Sequence, residues 1–373
     1  MKILVAGDFC DKLRVSESIR EGRYSSMFDD VKPFTSSVDY SIVNFEFPIV
    51  SKEGKPIRKC GPRLKGQAKA IDAIKYAGFN VCTLANNHIL DQGEYCCLDT
   101  ISQLENSGVK TVGAGKNLLE ASKILYLRSG KETLAIINCC EHEFSIATND
   151  SAGAYPLNPI QQYYQIKDAK NNADYVLVIV HGGHEMFQLP SPRMVETYRF
   201  LVDAGADAVV NHHQHCFSGY ETYKGKLIFY GLGNLLFDHM SYRNEIWNEG
   251  YMVIIEFNES QVFNYSLIPY QQCQEFVGVK IILKNNNFYK KIDRINEILN
   301  KPEQLEKIYK EWVISSFRYS KSLFTPYNNK YLLGLYKKGF LPSFISEQKR
   351  YRIINSLFCE SHLDKLKISI SNI

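Results

Sequence analysis

The sequence has no CxxC pair, only two tryptophans, no low-complexity tract and no internal repeat of solenoid period. Without a regular cysteine framework, a small disulfide-stapled secreted scaffold is excluded. The ten cysteines read as reduced thiols, mostly core filler, since several (Cys82, Cys96, Cys97, Cys139, Cys140) fall inside apolar segments. No apolar run reaches the ~20 residues of a membrane span. The opening stretch Met1–Asp8 is too short for a signal-peptide core. A cytoplasmic protein is therefore expected. Neither charge sign dominates, with 44 Lys and Arg against 40 Asp and Glu, but the balance is uneven. Residues 280–373 hold 18 basic and 8 acidic side chains, which leaves residues 1–279 net negative. An acidic N-terminal region argues against nucleic acid as a partner. The basic tail can meet an anionic partner, such as a polyanionic polymer, a membrane surface or nucleic acid, or a protein partner, although a solvated helical face is the plainer reading.

What is present is ordinary globular composition, 45% hydrophobic and 23% charged over 373 residues. That is enough for one large α/β domain, placed at 1–280, and a basic, aromatic-rich helical appendage at 288–373, with Asn285-Asn286-Asn287 as linker. Short apolar runs at Lys2–Ala6, Tyr40–Phe45, Phe79–Ala85, Asp174–Val180 and Asp207–Val210 read as buried strands. Helical spacing over 66–77, 93–106 and 193–203 stops at or near glycine. Hairpins are expected at 220–230 and 251–268.

Six of the nine histidines lie in three runs at the ends of such strands: Asn86-Asn87-His88, His181-Gly-Gly-His184-Glu185 and His212-His213-Gln214-His215. Asp8 and Glu46 end two earlier strands. Open α/β sheets place ligands outside the carboxyl ends of their strands, so these side chains are expected to converge on metal. In extended backbone, His213 and His215 would point the same way. Mixed oxygen and imidazole donors suit two divalent ions of Mn, Fe or Zn rather than Ca. Asp8, Glu46, Asn87, His181, His213 and His215 are the expected ligands, with Glu46 or Asp8 bridging. His88 is placed to protonate a leaving group. Asp91 either caps the next helix or orients His88, and capping is the favoured reading. Glu185 is either an orienting carboxylate or a solvated loop residue. Arg58, Lys59, Arg63 and Lys65 form a basic loop, solvated by default but suited to an acidic substrate. The glycines of Gly231-Leu-Gly233-Asn234 read as a turn, or as a close approach to an anion.

In combination and order, Gly7-Asp8, Asn44-Phe45-Glu46, Leu84-Ala-Asn-Asn-His88 with Asp91-x-Gly93, His181 with Gly183 and Glu185, His212–His215 and Gly225–Asn234 resemble the bacterial CapA family. This is the poly-γ-glutamate capsule biosynthesis family, grouped with calcineurin-like metallophosphoesterases. The resemblance covers about residues 1–270. It implies a four-layer αββα sandwich with a binuclear site at the sheet edges. It further implies Asp8 as first metal aspartate, Glu46 as bridge, Asn87, His181, His213 and His215 as ligands, and His88 as leaving-group acid. Asn44, Arg58, Arg63, Glu185, His212 and Asn234 are the expected substrate-binding residues. Three positions depart from the pattern: Cys10 where the superfamily has histidine, Asn211 for the usual glycine and Gln214 for the usual proline. The implied function is a hydrolase of capsule or cell-surface polymer metabolism, with metal-bound hydroxide attacking a phosphoester. An amidase or peptidase acting on γ-glutamyl links, or a non-catalytic accessory subunit of a polymer synthase, is the alternative.

Overall fold

The computed structural model describes residues 1–52, 54–59, 61–258, 264–284, 286–316, 327, 329–358 and 362. In chain order the strands are β1 (Lys2–Phe9), β2 (Tyr40–Phe45), β3 (Val81–Thr83), β4 (Lys110–Val112), β5 (Ala114–Gly115), β6 (Leu125–Ser129), β7 (Glu132–Cys140) and β8 (Gly153–Ala154). They continue as β9 (Tyr175–His181), β10 (Ala208–His212), β11 (Tyr220–Tyr223), β12 (Lys226–Phe229), β13 (Asn234–Leu236), β14 (Glu249–Glu256), β15 (Asn264–Gln272) and β16 (Val279–Ile281). One sheet runs β16-β15-β14-β1-β2-β3-β4, with β13 also pairing β1; the other runs β11-β12-β10-β9-β7-β6. Parallel pairing joins β1 to β4 in the first sheet and β7, β9, β10 and β12 in the second. All seven residues of β9 are buried, as a strand covered on both faces requires.

Side chains stitch the two sheets together. Tyr175 of β9 stacks on Phe257, which follows β14, and Phe229 of β12 meets Tyr251 and Tyr265. Asn138 of β7 accepts from the backbone N–H of Ala85 at 2.8 Å. Helices cover the outer faces: Ala70, Ala73 and Ile74 of Lys69–Tyr76 join the core against Leu4, Val43 and Phe45. Pro159–Asn172 and Pro192–Ala204 cover the other sheet. Each begins with a proline at its first position behind an Asn158 or Ser191 cap, and the second stops at Gly205 with φ 124°. This is the four-layer αββα sandwich.

A close approach depends on two glycines. A Cβ on Gly7 would stand 1.9 Å from the Gly233 carbonyl oxygen, and Gly233 has φ 80°. They let β13 lie against β1 so that Asn234 pairs with Asp8. The glycines near 231 thus bring strands together rather than cradle an anion.

The compact first unit is Met1–Leu305, and a second is Glu306–Ile373. The division therefore follows Leu305, whereas charge and composition change at 280–288. Helix Asn286–Leu299 starts inside the expected linker, because Phe288, Ile292, Ile295 and Leu299 form a buried stripe within the first unit. Phe288 meets Phe217 and Tyr251, and Lys291 pairs with Glu249. The second unit contains helices Lys330–Lys337 and Glu347–Phe358. The other expected appendage segments, 317–326 and 363–373, lie outside the described residues, as does 261–263 of the second hairpin. Eight described cysteines are buried and free. Among the described residues no helix is long and apolar enough to cross a membrane.

Candidate metal centre

Parallel pairing aligns the carboxyl ends of β1, β2, β9 and β10: Asp8 faces Asn44 in register, and His212 faces His181. Glu46 follows β2, Asn87 and His88 follow β3, and His213 and His215 follow β10. The structure brings all of them to one buried cluster.

Glu46 lies at its centre. It is fully buried, and neither carboxylate oxygen has a hydrogen-bond partner among the described residues. An unpaired buried carboxylate is too costly to persist without a cation or a proton. Two donor sets share it: Glu46 with His181 and His213, and Glu46 with Asp8 and His215. Glu46 Oε1 is 3.8 Å from His181 Nε2 and 3.7 Å from His215 Nε2. His181 Nε2 lies 3.1 Å from both Asn87 Oδ1 and His213 Nδ1. Atoms bound at about 2.1 Å to one ion stand roughly 3–3.4 Å apart, so this spacing suits coordination. These donors fit a divalent metal, and Glu46 belongs to two of the three donor sets among the described residues.

Neighbouring side chains orient these donors. Asn44 Nδ2 donates to Asp8 Oδ1 at 2.7 Å and lies 3.2 Å from His181 Nδ1, which directs His181 Nε2 into the cluster. Asn234 Oδ1 takes the other ring nitrogen of His215 at 2.9 Å. His212 Nδ1 is 3.3 Å from Asp8 Oδ1. Asn44, His212 and Asn234 are buried beside Asp8, His181 and His215. Glu185 is exposed and forms a third donor set with His213 and His215. Arg58 and Arg63 are exposed in their loop and are not brought into the cluster; Arg63 Nε donates to the Ile57 carbonyl. Cys10 belongs to the apolar core and to none of the donor sets among the described residues. Burial, followed by the Glu46 charge, pushes its thiol well up.

The His213 and His215 geometry also differs from expectation. β10 ends at His212, and His213 and His215 have φ 88° and 55°, in the left-handed region. The two rings meet through this bent turn and not through extended alternation. Both departures from the family pattern brace it. Asn211 Nδ2 donates to the carbonyls of Gly182 and Tyr230, and Gln214 Nε2 donates to those of Phe187 and Leu189.

His88 Nε2 faces Glu46 Oε1 at 4.0 Å, while its Nδ1 lies 2.5 Å from Asp91 Oδ2. Helix Glu94–Asn106 has Gly93 at its cap with no side-chain cap bond. Asp91 therefore orients His88, which overturns the favoured capping reading. The turn brings positions i and i+3 together, and both are buried away from the helix end. Glu143 escaped the sequence reading, and Lys59, read there in a basic loop suited to an acidic substrate, lies instead against the His88 turn. Lys59 reaches Asp91, and Glu143 accepts from Asn87 Nδ2 at 2.8 Å while standing 3.8 Å from His213 Nε2. Glu143 carries no spacing signal because it follows β7, a strand the sequence pattern does not flag.

Burial and mutual charge shift the titrating groups of the cluster in opposite directions. Burial, then the Asp8 charge, holds Glu46 well above the usual carboxylate range. Burial alone would raise Asp8, but hydrogen bonds to His212 and His215 pull it well below. Burial pushes His181 well down and lowers His213 and His88. For His215 burial is outweighed by Glu46 and Asp8, which raise it to about 10.

Residues 2–239 match the family described as bacterial capsule synthesis protein PGA_cap. The chain belongs to this family. It is 34% identical over 246 residues to the capsule biosynthesis protein CapA of Bacillus anthracis, covering 64% of this chain and 60% of that one. It is 32% identical over 216 residues to the PGA biosynthesis protein CapA of Bacillus subtilis, covering 57% of each. The chain thus spans about 60% of the length of these relatives. A putative 5'-nucleotidase from Staphylococcus aureus, solved with alpha-ketoglutarate, superposes with TM-score 0.47 at 15% identity, covering 79% of this chain and 58% of that one. A hypothetical protein from Thermus thermophilus gives 0.46 at 16% identity, with 73% and 99% covered. Neither superposition bears on activity.

Proposed function

We propose that this family member is a metal-dependent hydrolase serving capsule or cell-surface polymer synthesis. Its substrate is an anionic polymer or a phosphorylated or γ-glutamyl small molecule. The observation that carries this reading is the orphaned Glu46 carboxylate, shared by two donor sets and faced by His88. Two divalent ions of Mn, Fe or Zn would supply Lewis acidity and a water acidified toward neutral pH. Asp8, Glu46, Asn87, His181, His213 and His215 would hold them. Asn44 and Asn234 fix the rings of His181 and His215. His88, held at Nδ1 by Asp91, presents Nε2 to the departing group and gives it a proton.

Attack at a carbonyl needs the same arrangement, so a γ-glutamyl amide is the second substrate class. The Bacillus relatives, named for capsule and PGA biosynthesis, favour this class. The third reading is an accessory subunit, as the name of a Mycobacterium tuberculosis relative 30% identical over 234 residues suggests. A purely structural metal site would have no use for an imidazole oriented by a buried carboxylate.

The test pairs metal analysis with rates on an unactivated alkyl phosphodiester and a γ-glutamyl anilide in Mn²⁺. Wild type should bind metal and hydrolyse one of the two, and His88→Ala should lose about 10²–10⁴-fold. Metal binding with His88→Ala unchanged on every substrate would remove the enzyme reading.

A further inference from the structure

Lys59 is a buried cation that the reading above leaves without a role. Only 2% of its side chain is exposed, although it comes from a loop rich in solvated charge. Its ammonium donates to Asp91 Oδ1 at 2.5 Å and to the Asn87 carbonyl at 3.2 Å, and stands 3.2 Å from His88 Nδ1. The same nitrogen lies 5.7 Å from the Phe144 ring centroid. Asp91 Oδ2 meanwhile accepts from Leu64 N–H at 2.6 Å, beside its 2.5 Å contact with His88. Both Lys59 and Leu64 belong to the stretch that follows β2.

That stretch is fastened to the turn after His88 through its backbone as well. Lys55 N–H donates to the Gln92 carbonyl at 3.0 Å and Ile57 N–H to that of Asp91 at 3.2 Å. Gln92 Nε2 returns a bond to the Leu64 carbonyl at 3.0 Å. Pinning a loop needs no buried ammonium, because these neutral bonds already do it. Burying an ammonium is costly unless its acceptors are fixed, and the acceptors here are the two groups on either side of His88 in the turn. The side chain therefore fixes where the imidazole sits.

We propose that Lys59 is a positioning residue for His88, so that docking of the stretch bearing Lys59 and Leu64 completes the acid side of the site. The proposal rests on reading His88 as the leaving-group acid. It acts through Asp91 and the Asn87 carbonyl, and Lys59 touches no reacting atom. A misplacement of about 1 Å in such a group is enough to cost on the order of 10²-fold. The loss should grow with the leaving group's need for a proton, since a good leaving group departs without one.

The test uses the full chain loaded with Zn²⁺, labelled with ¹⁵N-histidine, with His88→Ala assigning the His88 ring signals. In Lys59→Met those signals should shift or split while the other histidine signals and the bound zinc hold. Lys59→Gln, which keeps a donor without the charge, is run alongside in case the methionine variant does not fold. Rates are then compared on a p-nitrophenyl and an unactivated alkyl phosphodiester. Lys59→Met should lose on the order of 10–100-fold on the alkyl ester and less than about 3-fold on the p-nitrophenyl ester. Unchanged His88 signals, or equal losses on both esters, would overturn the proposal. If the signals move but wild type hydrolyses neither ester, positioning stands and the phosphoesterase reading is what fails.

Discussion

The two turns that deliver histidines to the site, Asn86–His88 and His212–His215, are held in opposite ways. The first has no left-handed non-glycine residue and is closed by its own bonds, His88 N–H to Asn86 Oδ1 at 3.1 Å and Asp91 N–H to the His88 carbonyl at 2.9 Å. Its asparagines are held by bonds to Phe45 and Glu143, and its imidazole by charge from a distant loop, the Lys59–Asp91 pair. The second turn carries two histidines in left-handed backbone, at about 1–3 kcal/mol each. Neutral hydrogen bonds and one to a carboxylate hold it: Gln214 to two carbonyls, Met186 N–H to the Gln214 carbonyl, Asn234 Nδ2 to the His215 carbonyl, and His213 N–H to the Asp8 carboxylate. The relaxed turn adds a buried ion pair to its neutral bonds, whereas the strained turn is braced by hydrogen bonds at its bent residues.

That contrast is open to breakage. The largest effect is expected from Asp91→Ala, which leaves the Lys59 ammonium buried without its carboxylate. It should cost about 3–5 kcal/mol in urea unfolding, and a cost under about 1 kcal/mol would show that the first turn does not rely on the pair. Gln214→Ala removes the brace of the strained turn and leaves two buried carbonyls short of a donor. The expected loss is about 1–3 kcal/mol, visible in the metal-free chain; an unchanged midpoint would mean the turn holds itself. The smallest effect sharpens the comparison from the other side. His213→Gly relieves one left-handed residue, so the metal-free chain should hold its stability or gain up to about 1 kcal/mol, while metal content drops. A large loss would place the ring's packing above the strain.

The parts legible in sequence were those with a period. The strands delivering Asp8, Glu46, Asn87, His181 and the 212–215 run stand out because each is an apolar run ending at polar residues. Lys59 and Glu143 were not legible as site residues, because loop length hides where a side chain lands. Lys59 looks like one more solvated lysine until the backbone bonds to Asp91 and Gln92 turn it inward. The bend at His213 and His215 left no mark either, since glycine is the usual signal of positive φ and neither position has one. β6 and β7 lie in a stretch without alternating pattern, and Glu143 was lost with them.

Calorimetric titration of the metal-free chain with Mn²⁺ near neutral pH, in two buffers of different ionisation enthalpy, tests the central claim most directly. Burial and the Asp8 charge keep Glu46 high, and Glu46 and Asp8 outweigh burial to raise His215 to about 10, so this pair retains a proton that a cation must displace. Two ions per chain with net release of about one proton or more, affinity falling as pH falls, and reduced uptake by Glu46→Gln are the predicted results. No uptake by wild type, or uptake by Glu46→Gln equal to wild type with no proton release, would contradict a bridged pair of ions at Glu46.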